Sequence, residues 1–257
     1  MSILFKDIVF GPVRSRRFGV SLGINLLPFG FKYCNFNCLY CECGWTNVRH
    51  GKLHLFSRDD IRTALDERCA ELQRQGLQPE NLTFAGNGEP TVHPDFPGIV
   101  DDTLAIRDRY FPAASVTILS NASMIHKPAI KMAMEKVENN VLKLDCGTEE
   151  MFRFMNRPAG AVTLDKITAG LKSFSGNVII QSLFVRGEYR GVVVDNTVPR
   201  EIAAWLKRIG DIRPALVMIY TIDRLPPVDT LVKVPLYNLQ AIAAKVEALG
   251  IPVKVYK

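Results

Sequence analysis

The sequence predicts an α/β fold, a single-domain partial (β/α)6 TIM-like barrel with parallel strands. Short apolar runs alternate with amphipathic helical stretches almost without interruption. No linker, internal repeat or low-complexity segment breaks that alternation. At 257 residues the chain is long enough to bury one substantial core. Alternation of this kind implies right-handed β-α units and a parallel sheet.

The strand-like runs are Val20–Leu27, Leu82–Ala85, Val116–Leu119, Val141–Leu144, Val178–Val185 and Leu216–Tyr220, with a further run at Val253–Tyr256. A helix from Ser57 to about Gln75 opens on a capping serine, with Asp59 and Asp60 placed favourably in its first turn. Further helices are expected near Pro97–Tyr110, Pro128–Lys136, Thr163–Phe174, Pro199–Ile209 and Leu236–Leu249. The last is stopped by Gly250 and Pro252. Six β-α units place residues 1–257 in one domain, with a long loop at about residues 29–46 after the first strand.

Hydrophobic residues make up 47% and charged residues 23%, ordinary for a globular protein. No apolar run approaches the ~20 residues that span a bilayer, so no membrane association is expected. The start, Met1 to Asp7, is charged too soon for a signal peptide, which points to a cytoplasmic protein with reduced thiols. The formal charge of +6 hints at an anionic partner such as nucleic acid, a phosphorylated metabolite or an acidic peptide. The densest basic cluster, Arg14-Ser15-Arg16-Arg17, faces either a ligand anion or solvent.

The chemistry concentrates at Cys34, Cys38 and Cys41, spaced C-x3-C-x2-C in the long loop. Three thiolates so close in sequence wrap a soft metal centre at little loop-closure cost and leave one vertex open. Cys43 follows two residues later, so a structural four-cysteine zinc knot is the competing reading. Such knots usually pair two separated C-x2-C elements, and that separation is missing. A disulfide framework is not expected in a chain of this length. Cys43 is then a bystander or a tuning group, and Cys69, inside an expected helix, a core residue.

Polar groups stand at the ends of the apolar runs, where parallel barrels carry their chemistry. The second run ends in Gly86-Asn87-Gly88-Glu89-Pro90, whose glycines allow close backbone approach and whose glutamate suits an ammonium group. The bland alternative is a strand-to-helix turn with an exposed glutamate. Ser120-Asn121 ends the third run, either a turn or a hydroxyl-recognition element. Lys143 and Asp145 alternate with Leu144 and share a face, as a ligand-binding pair or an internal ion pair. Gln181, Ser182 and Arg186 mark the fifth run, and Tyr220, Thr221 and Asp223 the sixth.

Together these motifs resemble the radical S-adenosylmethionine (radical SAM) superfamily. Its C-x3-C-x-aromatic-C signature is matched by Cys34, Cys38, Tyr40 and Cys41, and its Gly-Gly-Glu-Pro motif by Gly86-Asn87-Gly88-Glu89-Pro90 with an inserted asparagine. The stretch Phe10 to Gly23, and Leu142-Lys143-Leu144-Asp145 followed by Phe152–Pro158, is similar to the compact iron–sulfur proteins related to the wyosine-forming tRNA enzymes. The wyosine enzymes' extra cysteines for a second cluster are not matched.

The resemblance implies a 4Fe-4S cluster on Cys34, Cys38 and Cys41. It implies S-adenosylmethionine held by Tyr40, Gly86, Gly88, Glu89, Ser120, Asn121, Lys143, Asp145 and Arg186. Reductive cleavage of the sulfonium would give a 5′-deoxyadenosyl radical that abstracts hydrogen from a substrate. An RNA base or nucleotide is one expected substrate, and a peptide or glycyl-radical enzyme another. Flavodoxin or ferredoxin is the implied electron donor. From a different class, a non-catalytic zinc-stabilised RNA-binding module accounts for the cysteines and leaves the polar strand ends unexplained.

Overall fold

The computed structural model describes residues 3–46 and 55–256. Chain order runs β1 (Val9–Ser15), β2 (Gly19–Ile24), α1 (Arg58–Arg74), β3 (Asn81–Phe84), α2 (Phe96–Tyr110) and β4 (Ser115–Ser120). Then come α3 (Pro128–Met134), β5 (Asn139–Lys143), α4 (Glu149–Met155), α5 (Leu164–Lys172), β6 (Ile179–Tyr189) and β7 (Val192–Asp195). The chain ends with α6 (Pro199–Ile212), β8 (Leu216–Thr221), β9 (Val232–Lys233), α7 (Leu236–Glu247) and β10 (Val253–Val255).

The main path of the sheet is β1-β2-β3-β4-β5-β6-β8-β10. Every pairing from β2 to β10 along it is parallel, and β1 alone runs antiparallel, beside β2. No pairing joins β1 to β10 among the described residues, so the curved sheet stays an open partial barrel. This is the expected class, with β1 added at the edge. Beyond the barrel, β6 continues to Tyr189 and pairs with β7 and β9 in a small antiparallel extension.

Alternation along the strands builds two environments. Leu22, Leu82, Phe84, Val116, Ile118, Leu142, Ile180, Val217 and Ile219 are fully buried. Phe84 meets Phe96 of α2 edge to face at 5.8 Å, and Phe184 meets Trp205 of α6 at 5.3 Å. The opposite parity carries a polar ladder: Ser21 and Thr83 hydroxyls lie 2.6 Å apart, and Asn81 Nδ2 donates to Thr117 Oγ1 at 2.9 Å. Buried polar groups of this kind are tolerated because each finds a partner.

Helix starts follow local chemistry. Ser57 and Asp60 form a reciprocal capping box at α1, and Thr148 and Thr163 accept the N3 backbone N–H of α4 and α5. The first parallel strand stops at Ile24, short of the expected Leu27. Asn25 takes the chain out of the sheet: Leu27 N donates to its Oδ1 at 3.1 Å and its Nδ2 donates back to Leu27 O.

Candidate active site

The loop after β2 is held from both sides. Tyr33 N donates to Asn87 O at 2.7 Å, and Glu89 N donates to Tyr33 O at 3.1 Å, so the glycine loop after β3 runs as a parallel rung beside it. A Cβ on Gly88 would stand 1.7 Å from Tyr33 O, and its φ is +149°, so only glycine fits there. From the other side, Asn37 N donates to Asn156 O and Leu39 N to Met155 O, at the C-terminal end of α4. Between the cysteines, Phe36 and Leu39 are almost wholly buried and anchor the loop in the core.

That anchoring turns Cys34, Cys38, Cys41 and Cys43 onto one cavity of about 290 Å³ at the C-terminal ends of the strands. Lys32, Tyr40, Gly86, Gly88, Glu89, Ser120, Asn121, Lys143 and Gln181 line the same space. Arg186 is not brought there: it sits on the extension of β6, with Nε donating to Thr197 Oγ1 at 2.8 Å and forming an ion pair with Asp195 Oδ2 at 3.5 Å. From the Arg14–Arg17 cluster, Arg17 reaches inward, donating to Gln181 Oε1 at 2.8 Å and stacking over Tyr220. Arg16 pairs with Asp223 instead.

Asn87 has a structural task. Its buried amide accepts Phe5 N and donates to Phe5 O and Pro28 O, stitching the N-terminal segment over the site. Glu89 is braced rather than free: Oε1 accepts Thr91 N, Thr91 Oγ1 and Ser120 Oγ, and Oε2 accepts Asn121 N at 2.6 Å. Burial pushes its carboxyl up, and those four donors pull against it. Oε2 keeps lone-pair capacity toward the cavity. The hydroxyl of Ser120 is therefore committed to Glu89. Asn121 Nδ2 donates to Asn35 Oδ1 at 2.8 Å and lies 3.7 Å from Cys34 Sγ.

Lys143 and Asp145 do share a face, with Nζ and Oδ2 3.2 Å apart. Tyr40 inserts its hydroxyl between them, donating to Asp145 and accepting from Lys143 at 3.0 Å. Asn156 Nδ2 completes the knot within 2.8 Å of Tyr40 Oη, 3.0 Å of Asp145 Oδ2 and 3.5 Å of Cys38 Sγ. The pair is thus a satisfied internal ion pair whose lysine still borders the cavity. Cys146 and Cys69 are buried away from it, as core thiols.

The electrostatics of the cysteine loop turn on Lys32, which sequence reasoning passed over. It is 2% exposed, donates to Gly44 O at 3.3 Å, and has no carboxylate partner among the described residues. Burial alone would pull its ammonium down, but the charges of Cys41, Cys34 and Cys38 outweigh that and hold it above its ordinary value. Cys34 is pushed up to about 12 by burial, with Lys32 opposing. Cys41 is drawn down to about 5, first by a hydrogen bond from the Cys43 thiol, against burial and with help from Lys32. Cys43 moves up as the donor to Cys41, and its Sγ also lies 3.4 Å from Gly86 O.

This donor set fits a multi-iron cluster. Among the described residues no three His, Cys, Asp or Glu side chains gather around one ion-sized point. A cluster takes each thiolate on a separate iron, so it needs no such convergence. A buried lysine without a carboxylate supplies the positive charge that a set of thiolates calls for.

An open parallel barrel with a three-cysteine loop after its first parallel strand is the fold of the radical SAM enzymes. It superposes on a radical SAM methyltransferase from Sphaerobacter thermophilus with a TM-score of 0.66 at 12% identity, over 92% of this chain and 65% of that one. The chain belongs to the UPF0026 protein family: it is 31% identical to a Helicobacter pylori UPF0026 protein over 222 residues, 84% of this chain and 67% of the relative. A Methanocaldococcus jannaschii UPF0026 protein is 34% identical over 171 residues, 66% of this chain. The chain spans about half the length of that relative, 50%. No protein-family model matches the chain. Among the described residues no helix is long and apolar enough to cross a membrane.

Proposed function

We propose that this chain is a radical SAM enzyme. One observation carries the reading: Cys34, Cys38, Cys41 and the carboxylate-free Lys32 share one cavity with Gly88 and Glu89 at the strand ends. The three thiolates would hold a 4Fe-4S cluster, leaving Cys43 as a hydrogen-bond donor to Cys41. When bound, the reduced cluster supplies the electron that cleaves S-adenosylmethionine to methionine and a 5′-deoxyadenosyl radical, the species that takes hydrogen from substrate.

The protein's part is to bind, orient and exclude water. Lys32 balances thiolate charge within the loop. The open backbone at Gly88 and the remaining lone pair of Glu89 Oε2 would receive the cofactor's amino group. Asn121 and Lys143 border the same cavity, and their amide and ammonium would suit its ribose and carboxylate. The Tyr40–Asp145–Asn156 knot fixes the loop wall beside Cys38. Electrons would come from a flavodoxin or ferredoxin, and the net charge of +6 favours an acidic carrier.

Anaerobic reconstitution with iron and sulfide tests the reading. A brown protein absorbing near roughly 400 nm is expected, releasing 5′-deoxyadenosine and methionine when reduced with S-adenosylmethionine. Cys34→Ala, Cys38→Ala and Cys41→Ala should each lose both properties. A colourless protein that binds one zinc and cleaves nothing would overturn it.

A further inference from the structure

We infer that a second cavity, beside the cysteine loop, binds an unpaired nucleobase together with its phosphate. This rests on the radical SAM reading only for its purpose, since it names the substrate chemistry; the cavity is argued from its own residues. It measures about 550 Å³ and lies between Trp45, Arg157, Glu188, Tyr189, Arg190 and Asp229, a size suited to a small ligand. An adjoining groove of about 420 Å³ shares Asn37 and Arg157 with it. That groove in turn shares Cys34 and Phe36 with the cofactor cavity. A ligand held here therefore lies next to the thiol-bearing loop.

The walls are planar groups. Arg157 places its guanidinium 5.4 Å from the Trp45 ring centroid and 5.6 Å from that of Tyr189, and donates to Tyr189 Oη at 3.0 Å. Arg190 places its guanidinium over the Tyr189 ring as well, 5.2 Å from its centroid. Trp45 is 36% exposed, a large aromatic at the surface whose ring already stacks with a guanidinium, the kind of planar partner a base would extend.

Backbone conformation is spent on these two arginines. Arg157 has φ of 48° and Arg190 has φ of 53°, the left-handed region that disfavours side chains other than Gly, Asn and Asp. Arg190 and Gly191, φ 77°, form the two-residue turn joining β6 to β7, where Asn-Gly is the usual choice. An arginine there trades turn propensity for a guanidinium over Tyr189.

The charges select the ligand. Among the described residues neither arginine pairs with a carboxylate, and neither Glu188 nor Asp229 pairs with a cation. An acidic peptide would meet two carboxylates, and a basic peptide two guanidiniums. A nucleotide uses both signs: guanidiniums suit phosphate and base acceptors, and carboxylates accept from exocyclic amino groups. Stacking on Trp45 requires the base to be out of a duplex.

The test is fluorescence anisotropy on the full chain, with and without cluster, using a labelled mixed-sequence single-stranded RNA. The same RNA as a duplex, a nucleoside monophosphate and an unstructured peptide of mixed charge serve as competitors. The single strand should bind at least tenfold more tightly than the duplex. Trp45→Ala should weaken it at least about fivefold, and Arg157→Gln or Arg190→Gln should lower the salt slope by about one, with unchanged thermal unfolding. Competition by the monophosphate as strong as by the strand supports the same site and assigns it to free nucleotides. Binding no better than duplex, preferential competition by the peptide, or indifference to all three substitutions would overturn the inference. Cofactor cleavage by wild-type protein, assayed in parallel, fails or succeeds independently of RNA binding.

Discussion

Glu89 Oε2 accepts the backbone N–H of Asn121 across 2.6 Å, tying the glycine loop after β3 to the end of β4. Its other oxygen accepts the backbone N–H of Thr91 at 3.2 Å. Neither backbone donor can reverse its role, so an amide at this position must turn an N–H₂ against one of them. Glu89→Gln should therefore destabilise the cluster-free protein by about 1–3 kcal/mol, a fall of roughly 2–4 °C in Tm for each kcal/mol. Ser120→Ala, which removes a hydroxyl from the same carboxylate, should be milder. Thermal denaturation followed by circular dichroism compares them, and equal Tm for Glu89→Gln and wild type would contradict the bracing role.

Lys32 is the buried cation that faces the Cys41 thiolate. Lys32→Met leaves that thiolate without its cation, so in the cluster-free protein Cys41 should titrate higher and stability near neutral pH should fall. Without that charge the thiolate set loses its counter-ion, and iron retained per chain after gel filtration should fall. Unaltered iron content would argue against the electrostatic account.

Cys43 separates tuning from ligation. As donor to Cys41 it holds that thiol near 5. In cluster-free Cys43→Ala, alkylation of Cys41 should begin at higher pH, while cluster assembly on the other three cysteines persists. Mass-spectrometric mapping of alkylation across a pH series checks the first part. Iron analysis checks the second.

Acid stability has a separate handle at the bottom of β4. Burial, the largest single influence, raises Glu138, but the Val116 backbone N–H, its own backbone N–H and Arg107 together outweigh it and leave its carboxyl below the ordinary value. A depressed carboxylate contributes stability above its unfolded pKa of about 4.3, and loses it as pH falls through the folded value. Glu138→Gln should thus be less stable than wild type at neutral pH, with the gap closing below about pH 4. A gap that widens on acidification would reverse the sign and refute the assignment.

Much of the frame was legible because buried parallel strands read as short apolar runs, as in Leu82–Phe84 and Val116–Ile118. β1 escaped notice since Gly11-Pro12 breaks its run and its side chains are partly exposed. α4 spans only Glu149–Met155, too short for a helical period to show. Arg186 lies outside the site because β6 overruns the barrel to Tyr189, which alternation alone does not reveal. Lys32 was invisible for a different reason. A lysine two residues before a cysteine motif reads as surface, and only the packed loop shows it enclosed. The same holds for Asn35 and Asn156, whose role is contact with thiols and with Asn121 rather than any motif.

The most direct test is electron paramagnetic resonance of the anaerobically reconstituted, reduced protein with and without S-adenosylmethionine. A reduced-cluster signal that changes on cofactor addition, in wild type and in Cys43→Ala alike, is the predicted result. A signal insensitive to the cofactor, or one abolished by Cys43→Ala, would mean that no iron is left open and would contradict the assignment.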